Sequence, residues 1–349
     1  MNNWNKFLQP EKSKIGTRII EHKIVILFWT IILLLASILL SLCLGAANLT
    51  LRQLWKGIFE GGGAGIEGNI FWYARFPRTM ACALAGAALA VSGAVTQTVL
   101  ANGLASPGII GVNAGAGFAV VLSCAMGAVG GWSVALSSFL GAMAAAFFVA
   151  FGAKKMGASR TAVILGGVAI NSVLNAATEG MITLQPELSL ISTDFKIGGF
   201  TSVVWERFLP AGSLIIIALL LLLSLTKELD LMGLGEETAQ SLGLSAKTMR
   251  TLFLLLSALL AGCAVSFAGL LGFVGLMIPH LGRKIIGVES RYLLPFCIFF
   301  GAFFVITCDL GARILFQPYE VPVGILISFF GGLFFMYLLL KRKGGHRYD

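Results

Sequence analysis

The chain has 349 residues, 57% of them hydrophobic and 12% charged, with a mean hydropathy of +0.91. A soluble domain carries about a quarter charged residues, so this composition excludes a water-soluble globule and makes lipid the solvent. The net charge of +9 is spread among helix-flanking segments, which reads as membrane topology and not as a nucleic-acid footprint.

In chain order, residues 1–23 form a charged cytoplasmic N-terminal segment. The uncharged run Ile24 to Ala46 follows, long enough to cross the hydrocarbon, which takes about 20 residues of helix. No small-residue cleavage site follows it, so it reads as a retained helix. Residues 47–78 read as an outer loop ending in ARFPRT. Further apolar runs predict helices near 79–101, 107–128, 132–153, 161–184, 208–226, 248–269, 270–284, 292–312 and 322–340. The expectation is an all-α integral membrane protein of about ten transmembrane helices, with a single membrane domain over 24–340 and a cytoplasmic tail at 341–349. Between Arg250 and Arg283 the chain spans only about 48 Å as helix. One of the two crossings there must be short, or broken at Gly269, Gly272 or Pro279.

Basic residues orient the bundle, because loops rich in Lys and Arg stay cytoplasmic. With Lys6, Lys12, Lys14, Arg18 and Lys23 inside, Lys154, Lys155, Arg160, Lys227, Lys247, Arg250, Arg283, Lys284, Arg291, Lys341, Arg342, Lys343 and Arg347 fall on the same side. Both termini are then cytoplasmic. Arg52, Lys56, Arg75, Arg78, Lys196, Arg207 and Arg313 fall outside.

Cys43, Cys82, Cys124, Cys263, Cys297 and Cys308 are scattered through apolar segments without C-x-x-C spacing, which implies neither a metal site nor a disulfide framework. Arg75 and Arg78 run against the charge bias. They either snorkel at the interface or form, with Arg313, a cationic ring for an acidic partner or substrate. Pro77 sits at a helix start, where its missing N–H costs nothing. Asp309, four residues before Arg313, has the spacing of a local ion pair.

Asn171, Asn175 and Glu179 recur at i, i+4 and i+8 on one helix face. Polar groups in a span face a bundle interior or a water-filled cavity, so this stripe lines a pathway or makes interhelical hydrogen bonds; Gln97 and Asn113 are weaker cases. His280 reads as a helix-end cap or structural hydrogen bond. In the cytoplasmic stretch 227–247, Glu236 to Leu242 reads as a short helix ended by Gly243. It is either a solvated linker or, given Leu231, Leu234, Ala239, Leu242 and Leu244, an amphipathic docking element for a soluble partner. No G-x-x-x-x-G-K-[ST] loop, H-E-x-x-H or G-x-S-x-G occurs, so the chain reads as a non-enzyme without its own ATPase, cofactor or metal.

Four blocks in sequence then carry a resemblance. ARFPRTMACALAGAALAVSGAVTQTVLANGLASPGIIGVNAGAG (74–117), LGEETAQSLGL (234–244), FAGLLGFVGLMIPHLGR (267–283) and PYEVPVGILISFFGG (318–332) resemble the permease subunit of the iron-chelate and cobalamin family of ABC importers. A departure is ANGLASPG at 101–108, where most members have an R-N-P-L-A-x-P-G form. The resemblance implies a ten-helix permease in the bacterial cytoplasmic membrane, among membrane lipids, paired with a second permease copy or a paralogue. It also implies ABC ATPase subunits beneath and an extracytoplasmic solute-binding protein above. Gly235, Glu236, Glu237, Ala239, Leu242 and Gly243 would belong to the segment that couples to the ATPase. Arg75, Arg78 and Arg313 would dock the binding protein, and the helix of Asn171, Asn175 and Glu179 would line the path. The implied cargo is a ferric siderophore, with haem and cobalamin as alternatives in the same family. Two other classes are a secondary transporter driven through Glu179 and a structural membrane anchor.

Overall fold

The structure, a computed structural model, describes residues 5–45, 55, 66–128, 130–155 and 159–342. Most of the loop at 47–65, with Arg52 and Lys56, and the tail beyond 342 lie outside the described residues. Among the described residues there are helices and turns and no strand. Lipid demands this, because a helix satisfies its backbone N–H and C=O groups within one segment. The helices are α1 (Asn5–Cys43), α2 (Phe76–Val99), α3 (Val112–Ala125), α4 (Gly131–Lys155), α5 (Arg160–Leu184), α6 (Leu188–Ile197), α7 (Trp205–Ser224), α8 (Thr226–Gly233), α9 (Glu236–Ser241), α10 (Ala246–Ala268), α11 (Val274–Ile285), α12 (Ser290–Ile314) and α13 (Val323–Arg342). Seven are long and apolar enough to cross a membrane; α3 and the described part of α13 are apolar but shorter.

Three stretches depart from the hydropathy reading. The supposed loop before α2 is helical from Ile66 onward and passes through a π-helical run, Ile70–Arg75. That widened turn shifts the hydrogen-bond register directly before Pro77, which lets a residue without an N–H sit inside a continuous helix. Its aromatic rings hold it in place: Phe71 and Phe76 stack at 5.5 Å, Phe76 lies 5.5 Å from Trp205, and Trp205 Nε1 donates to the Trp72 carbonyl at 2.7 Å. The amphipathic helix α6 has 10 residues, too short and polar for hydropathy to mark it as a span. Residues 107–111, expected to open the third helix, form a 3₁₀ turn over Pro107–Ile110 before α3 begins.

The crowded 250–283 stretch resolves as one full helix and one half. α10 ends at Ala268, residues 269–273 are irregular, and α11 has 12 residues, about 18 Å of rise, well short of the roughly 30 Å that hydrocarbon requires. The irregular backbone is not left to lipid. Leu270 N–H donates to the Phe195 carbonyl of α6 at 2.9 Å, and the Ala268 carbonyl accepts from Gly199 N–H at 2.8 Å.

α2 is the hub of the packing and is buried along most of its length, whereas α1 and α5 expose most of their surface. Lipid gives helices no hydrophobic reason to associate, so their backbones must approach closely. A Cβ added to Gly86 would stand 2.2 Å from the Gly301 carbonyl oxygen, and one on Gly93 1.7 Å from that of Gly275. These contacts seat α12 and α11 on α2. Between α2 and α10, Ser92 and Thr96 meet Ser257 through hydroxyl pairs at 2.7 and 2.6 Å. Those groups satisfy one another where no water can.

Candidate functional site

The charged side chains gather at the two ends of the bundle. At the end expected to face outward, α1 finishes at Cys43 with carbonyls that have no partner in their own helix. Arg75 supplies one, its Nη1 donating to the Leu42 and Cys43 oxygens at 2.7 Å each. Arg313 reaches the same helix end through Nη2 to Ser41 Oγ at 2.7 Å, and Ser41 Oγ lies 2.9 Å from Thr79 Oγ1. Asp309 joins the other two arginines. Its Oδ2 lies 3.1 Å from Arg313 Nε, as the four-residue spacing permits, and its two oxygens accept from Arg78 Nε and Nη2 at 3.0–3.2 Å. Arg78 Nη1 extends to Glu320 at 2.9 Å.

Arg75 and Arg313 are 6% and 4% exposed, and Asp309 is 1% exposed. The three arginines expected as an outer ring are thus brought together, but turned into the bundle, where they bind α1, α2 and α12 to one another. Glu320 is the exposed member. With Arg78, Asp194 and Arg207 it lines a cavity of about 510 Å³ between α6, the end of α10 and residues 320–323.

At the opposite, basic end, α8 and α9 form a compact elbow beneath the bundle. Gly235 at φ +113° and Gly243 at φ +85° flank α9, and both conformations favour glycine over any residue with a Cβ. Glu236 Oε1 lies 2.6 Å from Nη1 of the buried Arg250 and 3.6 Å from Arg160 Nε. Arg160 Nη2 also donates to the Met232 carbonyl at 2.9 Å, and Asp230 Oδ1 accepts from Ser290 N–H at 2.9 Å, capping α12. Ala239 is buried against this base. Glu237 is exposed, as are Leu234 at 65% and Leu242 at 59%. Of the segment's two leading acids, then, Glu236 faces inward and Glu237 outward.

The polar residues expected along a path are placed unevenly. Asn171 Nδ2 donates to the Gly108 carbonyl at 2.9 Å, tying α5 to the turn at 107–110. Asn175 is exposed, and Glu179 is exposed and paired with Lys196 at 2.9 Å. Gln97 is buried: its Nε2 donates to the Gly275 carbonyl at 3.2 Å and its Oε1 accepts from Arg283. It fastens α11 to α2. His280 lies within α11 rather than at its end, edge-on to Phe334 at 6.0 Å. Arg160 and Arg250 were legible in sequence only as topology charges, and Asp230 and Glu320 carried no signal, because their partners are remote in the chain. Among the described residues no three His, Cys, Asp or Glu side chains gather as metal ligands.

Crossing helices, fastened at one end by a buried charge cluster and carrying a pinned amphipathic elbow at the other, are the architecture of a membrane permease. Residues 33–341 match the FecCD transport family, and the chain belongs to it, as an ABC importer permease of the cytoplasmic membrane with several membrane passes. It is 36% identical over 305 residues to the Fe(3+)-citrate import system permease of Bacillus subtilis, covering 87% of this chain and 90% of that one. It is 35% identical over 320 residues to the hemin transport system permease of Yersinia pestis, covering 90% and 94%. It is also similar to a solved structure described as an inward-facing conformation of a metal-chelate type ABC transporter, with a TM-score of 0.81, 29% identity and coverage of 90% and 99%.

Proposed function

We propose that this permease carries an iron chelate, in the first place a ferric siderophore, from an extracytoplasmic binding protein into the cytoplasm. Two permease copies would enclose the path, and a separate ATPase would supply the energy. The observation that carries the reading is the elbow at the basic end. Its base is pinned by Arg250 and Asp230, while Leu234, Glu237 and Leu242 stand bare. Apolar side chains held outside the bundle on a rigid short helix suit a partner's groove better than water. The similar permeases named for Fe(3+)-citrate and hemin support an iron-containing cargo.

The mechanism follows as alternating access. ATP binding draws the ATPase subunits together, residues 235–243 carry that movement upward, and the helix bundles tilt about their glycine crossings. The permease adds different contacts in its two states and no bond chemistry. Docking of the binding protein belongs to the outer end, and Arg78 is its working residue. Its partner Glu320 is exposed, so an acid of the docking protein could replace that partner, while Arg75 and Arg313 fix the helix ends around it. Asn175 and Glu179, open on α5, are the path-facing candidates; Asn171 and Gln97 hold the helices that frame the path.

The test is Leu242→Asp in the complex with its ATPase. The expected result is loss of ATPase co-purification and of ATP-driven iron uptake, with the melting temperature of the permease unchanged. Full uptake by this variant would remove the coupling role from residues 235–243.

A further inference from the structure

Helices α3, α4 and α5 enclose an apolar groove midway along the bundle. Gly115 of α3 crosses Gly141 of α4 so closely that a Cβ on the first would stand 2.3 Å from the other's carbonyl oxygen, and a Cβ on the second 2.2 Å. α5 packs on both helices. Between α4 and α5 a space of about 620 Å³ remains, with Leu140, Ala144 and Phe148 on one side and Ile170, Val173 and Leu174 on the other. Every residue that lines it is apolar, so water finds no hydrogen-bond partners there and a hydrocarbon chain needs none. Ala144 lies near the middle of the 25-residue α4, which sets the groove deep in the hydrocarbon.

What covers the groove follows from the faces of its two walls. On α5, Val173 precedes Asn175 by two residues, about 200° of helical turn. The groove therefore lies on the side of α5 away from Asn175 and Glu179, whereas a second permease copy that shares the path stands at the side that bears them. On α4, Lys155 follows Phe148 by two turns and shares its face with Leu140 and Ala144, at the cytoplasmic end. Lys155 is exposed, as is Lys154. Among the described residues neither is ion-paired. The rise from Phe148 to Lys155 is about 10 Å, within the roughly 15 Å that one leaflet contributes to the hydrocarbon.

We infer that this groove binds an anionic phospholipid of the cytoplasmic leaflet, its phosphate on Lys155 and the end of one acyl chain between α4 and α5. A lysine suits the place, because its stem lies along apolar surface while its ammonium stays at the headgroups. Cationic residues at the cytoplasmic surface also draw anionic lipids toward them. The site lies outside the importer reading, which supplies only the side of α5 at which a second copy stands.

The experiment uses the full-length permease in detergent, stripped of lipid and then equilibrated with equal amounts of phosphatidylglycerol and phosphatidylcholine. Native mass spectrometry reads bound lipid and copy number together. The parent is expected to retain phosphatidylglycerol about fivefold over phosphatidylcholine, the preference that one lysine gives at a membrane surface. Lys155→Glu abolishes that preference. Ala144→Trp and Ala169→Trp, exposed positions on opposite walls, each fill the groove and remove the retained lipid with the copy number as in the parent; either serves if the other fails to fold. A parent that holds both lipids equally, or wall variants that keep their lipid, overturns the site. A parent without bound lipid whose wall variants fall apart into single copies also overturns it, since a second copy then covers the groove. None of these outcomes depends on ATP-driven uptake, so the site and the importer reading fail separately.

Discussion

Asp309 holds two arginines in a nearly water-free setting, and the consequences of removing it follow from that count. Asp309→Ala would leave Arg78 with Glu320 and Arg313 with only neutral oxygens, two cations packed close together. Breaking a buried pair by deleting one partner costs about 3–5 kcal/mol. A clear fall in melting temperature is expected by thermal denaturation in nanodiscs, and an unchanged transition would mean that the cluster is not structural. The arginines should separate in the same way. Arg75→Ala is expected to lower stability and leave binding-protein affinity near its parent value. Arg78→Ala should weaken docking and flatten its salt dependence, since exposed ion pairs are screened over about 8 Å at physiological salt. Equal loss of docking from both variants would return the reading to a simple ring of cations. The positions of these charges were legible in sequence, and so was the Asp309–Arg313 spacing. Their burial was not, because Arg78 and Asp309 stand 231 residues apart and no local pattern joins them.

Among the elements, α2 shows how much of the packing depends on two backbones touching. A methyl at Gly93 would overlap the Gly275 carbonyl, part of a helix and unable to rotate away. Gly93→Ala is therefore expected to lose most of the folded, membrane-inserted protein. Gly166→Ala on α5, where nothing lies within 4 Å, should be tolerated. Comparable yields of the two in size-exclusion chromatography would contradict the close crossing. Hydropathy located the long spans well, since an apolar run of about 20 residues has few alternatives in lipid. It failed where helices are short or begin in aromatic, polar sequence: the π-helical run before α2, α6, and the starts of α3 and α11. There the deciding contacts, such as Trp205 with Trp72 and Leu270 with Phe195, come from distant segments.

Taken as a whole molecule, the chain is a bundle with a buried centre and an exposed flank. α2, α10 and the neighbouring part of α12 are tied by glycine crossings and buried hydroxyls, whereas α5 packs on α3, α4 and the 107–110 turn along one side and carries Asn175 and Glu179 into the open on the other. The sequence showed that Asn171, Asn175 and Glu179 share a face. It could not show that the first is occupied by a backbone carbonyl while the other two are exposed, because that depends on where the 107–110 turn lies. Nor does Glu179 occupy a buried setting of the kind an ion-coupled carrier uses, being exposed beside Lys196.

The most direct measurement is uptake into liposomes that hold the permease with its ATPase, with the binding protein outside, supplied with radiolabelled iron as citrate, a hydroxamate siderophore or hemin. The account predicts accumulation of at least one of these that requires internal ATP and magnesium and persists when an uncoupler collapses ion gradients. Accumulation that continues without ATP and stops with the uncoupler would contradict it.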